Sequence, residues 1–490
     1  MYSAAKGCKR VAYSVGPMRR RDDEFSESLI VDDESSAGTR PMSPPVPSQQ
    51  KIGLFTLCML LFSQASAGPC GLEGIIGSVG VWLSMLSQAG TVLLFSVPQA
   101  VMAIELSRGV THNGGYALWA ESHLGRTWGA AVGVWGITAN CAYSSSLVQN
   151  IADYLKIENE HLADRWVEFG FVCALAIVGA AVCALPLKRA GDSFTLITAF
   201  TVGVFAALLG LAGRRIRVVA EPLVPPGTAN TRNWGAMMDL LIFNCIYFDG
   251  AATYAGETRN PDRVIPLAIA IIAVVVTGVN LVTTFVAYFG SGDPAAAWHG
   301  GHFAVVAARV SGPRLRDAIV ANAFATNFQI LTSNVQNSSY VLSGMAARGL
   351  APGWLRSPSN GGAPLHAVLL CGFLTILFGL VPFELSVAVQ AVVYGGVVLV
   401  ECASYVAKRT RTNATVEACL VALLPAMFTA FSYYVQNRLV FVACFGAMLA
   451  SLAVAHGLLW RADAASKQQP PPKPYVLRKK RPEAAKPVLL

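Results

Sequence analysis

The chain has 490 residues, of which 54% are hydrophobic and only 13% charged, with a mean hydropathy of +0.50. Soluble domains average about 25% charged residues, so composition excludes an ordinary soluble domain and points to a polytopic membrane protein. The net charge of +9 does not indicate nucleic acid, because basic residues gather in the tails, where they suit anionic cytoplasmic lipid.

Residues 1–50 mix short basic and acidic runs (RRRDDE, DDESS) with Ser and Pro, and they hold no apolar run of the signal-peptide kind. They read as a disordered cytoplasmic N-terminal tail. The body of the chain, 51–460, holds twelve hydrophobic spans: 52–83, 87–107, 127–154, 166–187, 193–213, 236–258, 264–289, 315–345, 364–381, 384–405, 415–435 and 439–460. Each is near the roughly 20 residues that cross a bilayer as a helix. The expected fold is an all-α polytopic membrane protein with twelve transmembrane helices. Spans one, six and eight are too long or too polar for simple helices. Residues 461–490 (QQPPPKP, then RKKRPEAAKP) read as a basic C-terminal tail. An even span count with basic tails places both termini in the cytoplasm, and a plasma-membrane location is expected.

Span one is interrupted at Gly68, Pro69, Cys70 and Gly71, and Glu73 follows. Proline lacks an N–H, and glycine tolerates the φ values that end a helix. Unwinding frees backbone groups that lipid cannot satisfy, so they must face protein, water or a ligand. The half-helix beyond the gap points its N-terminus at it, a seat for an anion or carboxylate. Span six repeats the pattern: Asn244 and Tyr247 precede a break at Asp249 and Gly250. Free carbonyls with two membrane acids make an electronegative pocket suited to an ammonium group, and Tyr247 and Phe248 add cation–π attraction. Breaks five spans apart suggest a 5+5 inverted repeat with discontinuous helices 1 and 6, and such paired breaks mark a transporter's binding site. Repeat one would cover 52–213, repeat two 236–405, and two extra helices 415–460.

Other acids read differently. Glu105, Glu257 and Glu401 lie at or near the ends of spans two, six and ten, and are expected at the interface, facing water or bonding loops. In span eight, Asn322, Thr326, Gln329, Ser333 and Asn337 approximate one helical face, expected to line a cavity. The eleven cysteines form no CxxC pair, and no His/Cys cluster has metal spacing. No nucleophile–base motif stands out. The expectation is no enzyme, no metal and no cofactor.

The stretches GPCGLE at 68–73, NGGYALWAESHLGRTWG at 113–129 and FNCIYFDGAATYAGETRNP at 243–261 resemble the amino acid–polyamine–organocation superfamily. Within it they are similar to the polyamine uptake transporters of plants and trypanosomatids. The resemblance covers roughly 52–460. It implies the inverted-repeat, LeuT-like fold. It also implies substrate held by Gly68, Pro69, Cys70, Gly71, Glu73, Asn244, Tyr247, Phe248 and Asp249, with helices three and eight completing the site (Tyr143, Asn322, Thr326, Gln329, Ser333). Proton-coupled or potential-driven uptake is implied as well. The chain departs from the plant pattern: Cys70 stands for Phe, Gly74 for an acid, Phe248 for Trp and Ile246 for Asn. The substrate expected is a polyamine (putrescine or spermidine) or related cationic amino compound. The alternatives are a cationic or neutral amino acid, or a nutrient sensor that binds without transport. Glu73 is the expected proton-carrying acid.

Overall fold

Long apolar runs with few charges become helices, because a helix satisfies every backbone group within its own segment. The computed structural model describes residues 52–468, except 66–67, 109–111, 157–163, 186, 224–230, 246 and 358–361. The N-terminal tail and residues 469–490 lie outside the described residues. Among those described there is helix throughout and no strand.

The first broken span is α1 (Leu54–Ala65) and α2 (Glu73–Val79). Helix α3 runs Val81–Ser107, with a π-helical turn at Val92–Ser96. Then come α4 (Gly115–Leu124), α5 (Arg126–Lys156), α6 (Arg165–Cys183) and α7 (Leu187–Gly213). The second broken span is α8 (Thr231–Cys245) followed by a 3-10 helix, Phe248–Glu257. The rest are α9 (Pro261–Ser291), α10 (His302–Ser311), α11 (Pro313–Ala347), α12 (Leu365–Phe378), α13 (Phe383–Thr410), α14 (Thr415–Val435) and α15 (Arg438–Gln468). Among the described residues, seven helices are long and apolar enough to cross a membrane: α3, α6, α7 from Asp192, α9, α13, α14 and α15 to Trp460.

Several boundaries differ from the sequence expectation. Gly80, at φ 84°, ends α2 and starts α3, so the second helix begins at 81 rather than 87. The last helix continues past 460 to Gln468. Helix α10 had no counterpart among the expected spans, because its 10 residues fall short of a crossing. Span eight proves to be one unbroken helix, α11, despite its polarity. It is buried almost continuously from Ile319 to Ala346; the Asn322, Gln329 and Asn337 side chains find partners on neighbouring elements, whereas those of Asn334, Gln336 and Ser338 are buried without one among the described residues. With α5 it forms the interior around which the apolar helices pack.

The two broken segments lie side by side in opposite senses. Ile52 N–H donates to Glu257 O (2.8 Å), joining the start of the first to the end of the second. Gly74, in α2, faces Leu240 of α8 so closely that a Cβ would sit 2.8 Å from Leu240 Cδ1. On the other side of α2, a Cβ on Gly77 would sit 1.9 Å from the Trp298 carbonyl oxygen, a backbone atom that cannot rotate away. Gly77→Ala must therefore push the 294–301 segment off α2. We expect a loss of about 1–3 kcal/mol, the usual cost of overpacking, seen as a lower melting temperature of the purified protein. An unchanged melting temperature would mean the segment does not rest on α2.

Candidate functional site

At the first break, Gly68 (φ 144°) and Gly71 (φ 105°) adopt backbone angles that side chains resist. Glu73 opens α2 and is 0% exposed. Its Oε2 accepts the Gly71 N–H at 2.7 Å, and its Oε1 accepts the Tyr154 hydroxyl of α5. The carboxylate thus folds back over the free backbone of its own turn and is pinned from the far side by a tyrosine. Cys70 is 6% exposed and packs in the apolar cluster of Ile76, Tyr154, Trp298 and Phe303, its thiol against the Tyr154 hydroxyl. Thr201 of α7 and Thr326 of α11 close over Gly68, leaving methyl groups 3.1 and 3.7 Å from where a Cβ would be. A largely apolar side pocket of about 650 Å³ between α1, α7 and α9 reaches the break at Gly68 and Pro69.

At the second break, Tyr247 takes a left-handed conformation (φ 72°, ψ 24°), unusual for a bulky residue and a sign of local constraint. The two breaks touch: Asn244 Nδ2 donates to the Gly71 carbonyl at 3.3 Å. Tyr143 of α5 donates to the Phe243 carbonyl at 2.8 Å, satisfying an acceptor in the last turn of α8 that has no intrahelical donor. Its ring stacks on Tyr247 (centroids 5.3 Å, 17°), and Tyr247 in turn packs against Tyr394 of α13 (4.5 Å). Gln390 Nε2 donates to the Tyr247 hydroxyl at 3.0 Å. Asp249, 2% exposed, lies at the foot of this stack and accepts the Tyr394 hydroxyl at 2.8 Å.

Most of the expected site residues therefore converge where the broken segments meet. Ile246 and the side chain of Phe248 lie outside the described residues. The α11 face behaves otherwise than as open cavity lining. Asn322 Nδ2 donates to Thr201 Oγ1 (2.8 Å), Gln329 Nε2 to Ser63 Oγ, and Ser333 Oγ to Leu60 O (3.4 Å). Asn337 Nδ2 reaches Thr253 Oγ1 (2.5 Å) and Gly250 O (3.3 Å). This face fastens α1 and the second break to the interior. Of the interface acids, Glu105 holds Arg409 at 3.1 Å, and Glu257 accepts from Asn113 at 3.4 Å. Glu401 is a correction. It is 3% exposed, inside α13, and accepts Gln99 Nε2 of α3 at 3.0 Å. The same Gln99 amide donates to the Tyr394 hydroxyl at 2.8 Å. Tyr154, Gln99, Gln390 and Tyr394 were not singled out from sequence, and Glu401 was read only as an interface acid. The available signal was a polar residue inside an apolar run, as in AVVYGGVVLVE around Tyr394 and Glu401.

A model of the family described as amino acid permease matches residues 52–460. The chain belongs to this family. It is an integral membrane transporter, not an enzyme family member. Among curated proteins it is 28% identical over 381 residues to the polyamine transporter PUT1 of Oryza sativa subsp. japonica, covering 75% of this chain and 69% of that one. It is 26% identical over 375 residues to the polyamine transporter RMV1 of Arabidopsis thaliana, covering 74% of each. The crystal structure of MhsT in complex with L-phenylalanine is similar in fold, with a TM-score of 0.56 and 14% identity over 80% of this chain and 99% of that one. The likeness to MhsT is one of fold, the LeuT-like fold that the family resemblance implied.

Proposed function

We propose that this permease imports polyamines, putrescine or spermidine, or closely related cationic amines across the plasma membrane by alternating access. The observation that carries this reading is the Glu73 carboxylate on the Gly71 N–H. In an amino acid carrier that N–H at the start of a half-helix is free to seat the substrate's carboxylate. Here the protein's own carboxylate occupies it, which suits a substrate with amines and no acid. Asp249 beneath the stack of Tyr143, Tyr247 and Tyr394 supplies the complementary feature: one anion beside tyrosine rings, where an ammonium gains both ion pairing and cation–π attraction. The names of the curated relatives point the same way.

The architecture proposed is twelve transmembrane helices in two five-helix repeats of opposite topology plus two more, with both termini cytoplasmic. The opposed packing of the two broken segments supports it. Glu73, Asp249 and Glu401 are all buried, so the described state is closed around the breaks. A dication entering at about −100 mV gains about 4.6 kcal/mol, at about 2.3 per charge, so potential alone drives strong accumulation. Proton coupling adds to this where an acid is carried through the cycle in alternate protonation states.

The test is labelled putrescine uptake into liposomes holding the purified protein, with spermidine, arginine, lysine and leucine as competitors. Inhibition by spermidine and not by leucine is expected. Preferential inhibition by arginine or leucine would replace the reading with that of an amino acid permease, and binding without flux would replace it with a sensor.

A further inference from the structure

The Glu401 carboxyl has no place in the substrate site as drawn above, yet it is the most deeply set acid on α13. Its Oε2 accepts Gln99 Nε2, while its Oε1 is buried and receives no donor. The Asp249 and Glu401 carboxyls are neighbours, and one bridge joins them: the Tyr394 hydroxyl donates to Asp249 Oδ1 (2.8 Å), while the Gln99 amide donates both to that hydroxyl (2.8 Å) and to Glu401 Oε2 (3.0 Å). Two ionised carboxylates have only acceptors and cannot bond to each other; one proton turns the contact into a short O–H···O⁻ bond and fills the missing donor. The other groups facing the pair are the hydroxyls of Tyr394 on α13, Tyr116 on α4 and Tyr247 at the break, with the Cys402 thiol beside Glu401. Among the described residues neither carboxyl has an ion-pair partner, so no fixed cation neutralises the pair.

The geometry points to Asp249 and Glu401 as a proton-binding site that couples transport to the proton gradient, with Glu401 the seat of the proton when Asp249 holds a substrate ammonium. The proposal rests on the reading of Asp249 as the ammonium contact. The charges balance at each stage. In the closed, substrate-free state one proton is shared between two carboxyls. When the ammonium arrives, Asp249 pairs with it as carboxylate and the proton stays on Glu401, so two carboxyls face two positive charges. On the cytoplasmic side the amine leaves and the Glu401 proton passes to water. Each carboxylate then retains a donor of its own, Tyr394 on Asp249 and Gln99 on Glu401, and the next proton comes from the external solution. One proton enters per cycle. Gln99 is positioned for this by the π-helical turn Val92–Ser96 just before it, whose extra residue re-phases the face that α3 turns toward α13.

The experiment uses the full-length protein. By infrared spectroscopy, the substrate-free wild type should show the carbonyl stretch of an un-ionised carboxylic acid, shifted in deuterium oxide. Glu401→Gln should lose that band, and Glu73→Gln should keep it. In liposomes with the potential clamped, an inward gradient of one pH unit should raise steady-state putrescine accumulation about tenfold in the wild type, the equilibrium ratio for one coupled proton. Glu401→Gln should show no such rise, and Glu401→Asp, which restores a carboxyl at this place, should recover part of it. A gradient response that survives in Glu401→Gln, or a proton band that survives it, overturns the proposal. Wild-type putrescine exchange with no gradient response overturns the proton site and leaves the substrate reading standing. A band that disappears as expected in a protein that neither binds nor exchanges putrescine upholds the proton-binding pair and refutes the substrate reading.

Discussion

Glu73→Gln reduces uptake at least about tenfold while the protein still reaches its membrane. The carboxylate accepts two protein hydrogen bonds, from the Gly71 N–H and the Tyr154 hydroxyl. Hydrogen bonds to a charged group contribute about 1.5–3 kcal/mol each, whereas neutral ones contribute about 1. Glutamine keeps one carbonyl oxygen for Gly71, and the Tyr154 hydroxyl can rotate to accept from the new amide. The Tyr154 hydrogen then turns to the Cys70 sulfur beside it, so folding survives. What is lost is the negative charge that holds the Gly71 turn in its left-handed form and fills the start of α2. The turn then no longer resists a change of register as the break opens and closes. Surface labelling reports membrane arrival, and initial uptake rates report function. An uptake rate and KM equal to wild type would remove Glu73 from the transport mechanism.

Asp249→Asn lowers affinity for a dication about tenfold or more and affects neutral substrates far less. The lost term is a charge-assisted contact with an ammonium, about 1.5–3 kcal/mol, or a factor of about 10–150. Asparagine preserves an oxygen for the Tyr394 hydroxyl, so the tyrosine stack keeps its anchor. The measurement is the KM for putrescine beside the inhibition constant of any neutral competitor the wild type recognises. Equal losses for cationic and neutral ligands would assign Asp249 to gating or folding. The variant also removes one half of the Asp249–Glu401 pair, so its uptake is best compared at fixed pH with no gradient, where the proton site contributes least.

The positions of the two breaks were legible in the sequence, because the physics there is local. Pro69 removes a donor, Gly68 and Gly71 accept positive φ, and acids stand beside them in runs otherwise free of charge. The partners of those acids were not legible. Tyr394 is 145 residues from Asp249, Glu401 is 302 from Gln99, and Tyr154 is 81 from Glu73. Span eight shows the same limit from the other side. Its polar face was visible at helical spacing, but whether it met a cavity or another helix depended on what lay opposite. What lies opposite is α1, α7 and the second break.

By itself, then, the sequence determined the membrane class, the helical repertoire, the two interruptions and the acids at them, since these follow from hydropathy and from the backbone limits of proline and glycine. Only the tertiary structure decided what those acids face. Glu73 closes its own helix start instead of standing open to a ligand, Asp249 lies under three tyrosines, and Glu401, a span-end acid by position, is carried to Asp249 by the packing of α13 against α3 and the break. A carboxylate's chemistry is set by the donors and charges within a few ångströms of it, and in this chain those come from helices that are remote in sequence and adjacent only after folding.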